Sequence, residues 1–281
     1  MKKTTLVVLG NGQVGVEVAR RLAERHRVVR GARQGALRPP LEGTTPVTLD
    51  LDKPETFGPA LSGVDSMFLA APGETFQLGP LEALLAAARG AGLERVVLLS
   101  AHGVDFRPHP MQGLEAAVKA GPWRWVVLRP NSFMQNLLGP LGAGLRAEGV
   151  LREPAGEGAT AMVDVRDLAE VAARAFDGGF DGETLTLTGP QALTRRQVVE
   201  TLSRVTGRTF QVEDVPPPVF REVLLAQGLP PVMADTLSGF YGDIREGRMA
   251  AVTGDVARVL GRPATSLEAF ATDHRAAFAP R

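Results

Sequence analysis

The chain has no cysteine among its 281 residues. That excludes disulfides, thiolate nucleophiles, Fe–S clusters and cysteine-held zinc together, and it fits a cytoplasmic setting. Lysine is nearly as scarce: Lys2, Lys3, Lys53 and Lys119 are the only ones, so basic charge rests on arginine. Tyr241 is the single tyrosine. Net charge is missing too, since Lys+Arg 31 balances Asp+Glu 31, which removes any general pull toward nucleic acid or anionic lipid. No apolar run approaches the length that crosses a bilayer, and no membrane association is expected. The opening "MKKTTLVVL" runs into glycines with no cleavage pattern, so it reads as a first strand and not as a signal peptide. The four histidines, His26, His102, His109 and His274, lack metal-ligand spacing, so no metal site is expected.

What the chain has is alternation. Through residue 130, short apolar runs ("TLVVLG", "RVVRGA", "PVTLD", "SMFLAA", "RVVLLS", "RWVVLR") alternate with segments whose apolar residues recur at three- and four-residue spacing. Strand and helix in strict alternation imply an α/β fold with a doubly wound parallel sheet. After Pro130 the rhythm changes. One helix is expected through "SFMQNLLGPLGAGLRAEG", a loop at "EPAGEGAT", a helix opened at or near Asp164, and a lone strand at "ETLTLTG". Thr194 with Gln197, and Thr265 with Glu268, have capping-box spacing. The expected organisation is a nucleotide-binding domain over 1–150 and a smaller, mostly helical substrate domain over 151–281, with the chain crossing between them.

The glycines of "VVLGNGQVG" form G-x-G-x-x-G between a strand and a helix, where the backbone can turn tightly, approach a pyrophosphate and offer helix N–H groups to it. The residues expected to hold it are Gly10, Asn11, Gly12, Gln13, Val14 and Gly15; the alternative is an ordinary strand-to-helix turn. An NAD-selective site carries an acid near the end of the second strand, but no Asp or Glu occurs between Glu24 and Glu42. Arg30 and Arg33 stand there instead, Arg33 the better placed, and a guanidinium grips a 2′-phosphate, so NADP(H) is expected over NAD(H). The ends of the later strands complete the expected pocket: Asp50 and Leu51 beside the adenine, Ala70, Ala71 and Pro72 along the cofactor backbone, and Ser100 and Ala101 near the nicotinamide.

Catalytic groups are sparse. The Tyr and Lys pair of many short-chain reductases has no counterpart, because Tyr241 lies far downstream and Lys119 sits too late. His102 and His109 are the candidate proton donors, and both also read as ordinary loop histidines. Ser100, His102 and Asp105 lie too close on one loop for a hydrolase triad.

The stretches "VVLGNGQVG", "RGAR", "LRPNSFMQN" and "VDVRDLAEVAA", in that order, resemble the NmrA-like branch of the atypical short-chain dehydrogenases/reductases. The resemblance implies a Rossmann-type sheet with a C-terminal substrate domain, and either an NADP-dependent reductase of quinones or triphenylmethane dyes or a cofactor-sensing regulator. It places Asn131, Phe133 and Asn136 near the substrate cleft; the alternative is a helix start packing Phe133 and Met134 into the core. Two departures stand out: the family's glycine loop has the form G-x-x-G-x-x-G, and Gln112 replaces a lysine that some relatives carry three residues before the glutamate found here as Glu115. The leading expectation is an NADPH-dependent oxidoreductase delivering hydride to a small, flat, electron-poor acceptor such as a quinone. The alternative is a non-catalytic NADP(H) sensor acting through a protein partner, with no direct contact to nucleic acid.

Overall fold

The computed structural model describes residues 2–33, 40–73 and 76–279. The chain divides into two compact units, Met1–Pro130 with Leu168–Thr186, and Asn131–Asp167 with Leu187–Arg281.

In the first unit β1 (Thr4–Val7), α1 (Gln13–Ala23), β2 (Arg27–Ala32), β3 (Thr44–Thr48), α2 (Phe57–Leu61), β4 (Ser66–Ala70), α3 (Leu78–Gly90), β5 (Arg95–Leu99), α4 (Pro110–Lys119) and β6 (Arg124–Pro130) follow one another. With β9 (Glu183–Leu187) they build a seven-stranded parallel sheet in the order β3-β2-β1-β4-β5-β6-β9. β4 is buried at every position, as a strand covered on both faces must be, which explains its unbroken apolar run. α1 buries Val14, Val18 and Leu22, one helical turn apart, together with Gly15 and Ala19. Strand order reverses between β1 and β4, and in such sheets the crevice beyond the carboxyl ends of the strands at that point takes the ligand. The loop after β1 holds the three glycines, and Ala71 and Pro72 follow β4.

The "ETLTLTG" segment is not a lone strand. Gly182 N–H donates to Trp125 C=O at 2.8 Å and Asn131 N–H to Leu187 C=O at 2.9 Å, so β9 runs parallel to β6 as the seventh strand.

In the second unit, α5 (Ala143–Glu148), β7 (Val150–Glu153) and β8 (Ala159–Thr160) precede α6 (Val165–Asp177), which continues into the first unit's segment. β10 (Leu193–Thr194), α7 (Arg195–Thr206), β11 (Gln211–Asp214), α8 (Pro217–Ala226), α9 (Pro231–Arg245), α10 (Asp255–Leu260) and α11 (Leu267–Asp273) follow. β7 pairs in parallel with β11, and β8 antiparallel with β10, so strands flank the segment expected as a loop at 153–160. Met134, Leu151, Leu202, Phe270 and Phe278 belong to one core cluster; Phe220, Tyr241 and Ile244 belong to another.

The single helix expected over 132–149 is broken into short 3₁₀ turns at Met134–Leu137 and Pro140–Gly142 before α5 begins. Pro140 has no N–H to continue the ladder. A Cβ on Gly142 would lie 2.0 Å from Leu137 C=O, so the chain folds back on itself there more tightly than a helix does. Thr194 and Gln197 do form a capping box on α7. At α11 the cap is Ser266, whose Oγ accepts from Ala269 N–H at 3.1 Å. Thr265 is drawn off by Asp167, which accepts from its backbone N–H at 2.6 Å. Among the described residues no helix is long and apolar enough to cross a membrane, and no group of three or more His, Asp or Glu is placed to hold a metal.

Candidate functional site

The loop between β1 and α1 is a set of backbone close approaches. Gly12 N–H donates to Leu9 C=O at 2.9 Å, turning the chain, and Gly10 N–H donates to Gly31 C=O at 3.0 Å, tying the loop to β2. A Cβ on Gly15 would sit 2.4 Å from Leu9 C=O and 3.1 Å from Gly10 Cα, closer than atoms tolerate. On Gly12 it would meet only Leu9 C=O, at 3.3 Å, so this glycine is not demanded by packing. Gly12 is the N-cap of α1, caps no N–H with a side chain, and no acid occupies the first turn. The first N–H groups of the helix therefore stand ready for an anion, with the positive end of the helix dipole behind them. An open edge at Gly12 beside these donors fits a dinucleotide's pyrophosphate. Leu9 has left-handed backbone (φ 54). It stands where G-x-x-G-x-x-G spacing, counted back from Gly15, would put its first glycine, so the departure from the family's loop is absorbed as local strain of about 1 kcal/mol.

The two arginines of "RGAR" have different roles. Arg30 is buried, and its guanidinium donates to Gly10 C=O through Nε at 3.1 Å and Nη2 at 2.8 Å, and to Asn11 Oδ1 at 3.1 Å. It braces the glycine loop from within and is not available to a ribose. Arg33 is exposed and lines a concavity with Leu9, Leu49, Leu51, Asp52 and Pro72. Its Nε lies 3.9 Å from Asp50 Oδ1 and its Nη2 3.7 Å from Asp52 Oδ2, both beyond hydrogen-bond length. Asp50 and Leu51 are half-buried; Ala70 is buried, with Ala71 and Pro72 half-buried, and none of the last three carries a long side chain.

At the ends of β5 and β6 lies a charge cluster around the buried Glu115. Ser100 Oγ donates to Glu115 Oε1 at 2.6 Å, Arg129 grips the same carboxylate through Nε at 2.9 Å and Nη2 at 2.8 Å, and Lys119 Nζ reaches Oε2 at 3.2 Å. Arg129 also donates to Asp105 at 2.8 Å. Burial alone would raise the Glu115 pKa, but the hydrogen bonds from Arg129, Ser100 and Lys119 outweigh it and hold the group at about 2. A carboxylate depressed from its ordinary 4.5 adds stability above that pH and loses it as the pH falls toward about 2. Glu115→Gln should therefore be less stable than the wild type in denaturant melts at neutral pH, and the difference should vanish near pH 2; a difference independent of pH would refute this account.

His109 caps α4. Its Nδ1 accepts from Met111 N–H at 3.1 Å, and its backbone N–H donates to Gln112 Oε1 at 3.4 Å. Gln112 Nε2 donates to Val104 C=O at 2.9 Å and Arg107 C=O at 3.2 Å, so this side chain ties the loop after β5 to α4. His102 donates its backbone N–H to Pro130 C=O at 2.9 Å, packs edge-on against Phe106, and has a buried Nε2 with no hydrogen-bond partner among the described residues. Burial lowers the pKa of both histidines, with Arg129 adding to the effect at His102 and Arg107 at His109. Tyr241 is buried in the second unit against Glu153 and Arg195, and burial pushes its hydroxyl well above its usual range.

A family model described as NAD(P)H-binding matches residues 10–178. The chain belongs to this NAD(P)H-binding family. It is 32% identical to an NAD(P)H azoreductase of Xenophilus azovorans, across 97% of this chain and 98% of that one. It is 34% identical to a (4-alkanoyl-5-oxo-2,5-dihydrofuran-3-yl)methyl phosphate reductase of Streptomyces griseus, across 98% and 99%. Its fold superimposes on an NADPH-dependent quinone oxidoreductase of Escherichia coli solved with NADPH, at a TM-score of 0.84, 24% identity and coverage of 96% and 99%. These findings agree with the NmrA-like resemblance read from the motifs.

In this NAD(P)H-binding chain the "LRPNSFMQN" and "VDVRDLAEVAA" motifs run side by side. Phe133 bridges Val163, with Met134 N–H donating to Val163 C=O at 3.0 Å and Val163 N–H to Ser132 C=O at 2.9 Å. Asn131 is buried and engaged, donating to Met249 C=O at 3.0 Å and accepting from Ser132 N–H at 2.7 Å. Phe133 and Asn136 remain half-buried. Sequence reasoning missed Gln135, which donates to Asp164 Oδ1 at 2.7 Å and accepts from Val165 N–H at 2.9 Å, fastening one motif to the other. It also missed Arg129, although a charged residue ending the apolar run "RWVVLRP" was a visible signal.

Proposed function

We propose that this NAD(P)H-dependent oxidoreductase uses NADPH to reduce a quinone or a similarly flat, electron-poor small molecule. The observation that carries the reading is the junction of two features at the sheet's switch point: the uncapped, glycine-edged start of α1, and an exposed Arg33 at the end of β2. The first takes a pyrophosphate and the second a 2′-phosphate. The first-turn N–H groups of α1, at Gln13, Val14 and Gly15, hold the diphosphate while Gly10, Asn11 and Gly12 shape its approach; Leu9 and Leu51 offer apolar surface to the adenine with Asp50 at its edge, and Ala70 to Pro72 leave room for the cofactor's backbone. Ser100 and Ala101 stand at the nicotinamide end. When bound, the dihydronicotinamide supplies the hydride.

The chain's own part is orientation and exclusion of water. A quinone acceptor needs no strong acid, because the charge it gains is delocalised over the ring. That matches a site whose histidines have lowered pKa values and whose single tyrosine is committed elsewhere: solvent protonates the product, with His102 and His109 as the candidate proton carriers as the pH falls. Phe133 and Asn136 are the proposed acceptor contacts, a ring face and an amide. The azoreductase relative and the quinone oxidoreductase neighbour support this choice of acceptor class.

The test is acceptor-dependent loss of NADPH absorbance with purified protein and a panel of small quinones and azo compounds. Saturable NADPH binding without turnover across the panel would favour a cofactor sensor. Arg33→Ala should weaken NADPH binding about tenfold, the worth of one charge-assisted phosphate contact at an exposed site, and leave NADH within about twofold. Equal weakening of both nucleotides would count against the phosphate role.

A further inference from the structure

We infer that Asp52 sets how strongly the site prefers NADPH over NADH, acting as a counter-charge on Arg33. The inference rests on the cofactor site proposed above and identifies the residue that tunes it.

Arg33 faces two carboxylates, and they are held very differently. Asp50 has a side chain only 14% exposed; its Oδ1 accepts from Asp52 N–H at 3.2 Å, its backbone N–H donates to Thr56 Oγ1 at 3.1 Å, and Lys53 Nζ lies 3.9 Å from its Oδ2. It is fixed in the turn after β3, and Lys53 offsets its charge. Asp52 is 69% exposed, and its carboxylate lies 3.7 Å from Arg33 Nη2. That distance gives Coulomb attraction without a formed hydrogen bond, so the guanidinium is biased and not locked.

A 2′-phosphate seated on Arg33 must draw the guanidinium from Asp52 and lie within a few ångströms of that carboxylate. A 2′-hydroxyl carries no charge and meets neither cost. Asp52 therefore penalises NADPH selectively and narrows the preference that Arg33 creates. Removing one exposed charge a few ångströms from a phosphate is worth about a three- to tenfold change in affinity in a largely aqueous setting.

The experiment is a fluorescence titration of the full chain with NADPH and with NADH, for the wild type, Asp52→Asn and Asp52→Glu, at low and high salt. Asp52→Asn should bind NADPH about three- to tenfold more tightly with NADH unchanged within about twofold, and Asp52→Glu should restore the wild-type ratio. The gain should shrink in high salt, as an exposed charge effect does. An unchanged NADPH-to-NADH ratio in Asp52→Asn, or an equal shift for both nucleotides, overturns the inference. Failure of the underlying site is separately visible: a wild-type chain that binds neither nucleotide saturably overturns both.

Discussion

Gly15→Ala is expected to weaken NADPH binding about 30- to 150-fold and to lower the melting temperature. The added methyl would sit 2.4 Å from Leu9 C=O and 3.1 Å from Gly10 Cα, and both obstacles are backbone, so no side chain can swing aside. α1 must lift from the loop, at about 2–3 kcal/mol for overpacking of this kind. That displaces the N–H groups on which the pyrophosphate depends. Gly12→Ala separates the two consequences, because its methyl meets only Leu9 C=O at 3.3 Å. It should melt close to the wild type yet bind NADPH poorly, since the methyl occupies the edge that a pyrophosphate approaches. Calorimetry and nucleotide titration on the two variants check this together; equal melting and equal binding in both would refute the division of roles.

Glu153→Ala is expected to destabilise the second unit by about 3–5 kcal/mol. Glu153 ends β7 and Arg195 begins α7; both are buried, and the guanidinium hydrogen-bonds the carboxylate through Nε and lies 5.9 Å from the Tyr241 ring centroid. Removing the carboxylate strands a buried cation, whose desolvation is then uncompensated. Replacing both partners with apolar residues of similar volume, Glu153→Leu with Arg195→Met, should cost far less than the single change. Denaturant unfolding monitored by far-UV circular dichroism distinguishes the two. A single-variant loss below about 1 kcal/mol would show that solvent reaches the pair.

Legibility in the sequence followed the range of the interactions. β2 was legible to the residue, because an apolar run closed by "GAR" depends on its own composition and on burial. The glycine loop was legible because its spacing encodes close approaches within a few residues. The helix misread over 132–149 shows the limit: Leu138, Leu141 and Leu145 keep helical spacing straight through Gly139 and Pro140, and the tight return at Gly142 carries no periodic signature. Arg30 and Arg33 look alike in sequence, yet position along a twisted strand sends one under the loop and leaves the other outside. Pairs such as Glu153 with Arg195, or Gln135 with Asp164, join chain segments tens of residues apart and leave no local trace.

The seventh strand bears on how this protein comes off the ribosome. A nascent chain that has reached Pro130 holds the six strands of an otherwise finished sheet, with β6 as a raw edge, and the segment that covers it is synthesised only after residues 131–167. Until then the N–H and C=O groups along β6 are a template for pairing with another chain. A fragment cut once at Pro130 makes that interval permanent. A free-standing nucleotide-binding piece therefore has to be supplied with residues 168–186, joined by a linker or added as a second polypeptide.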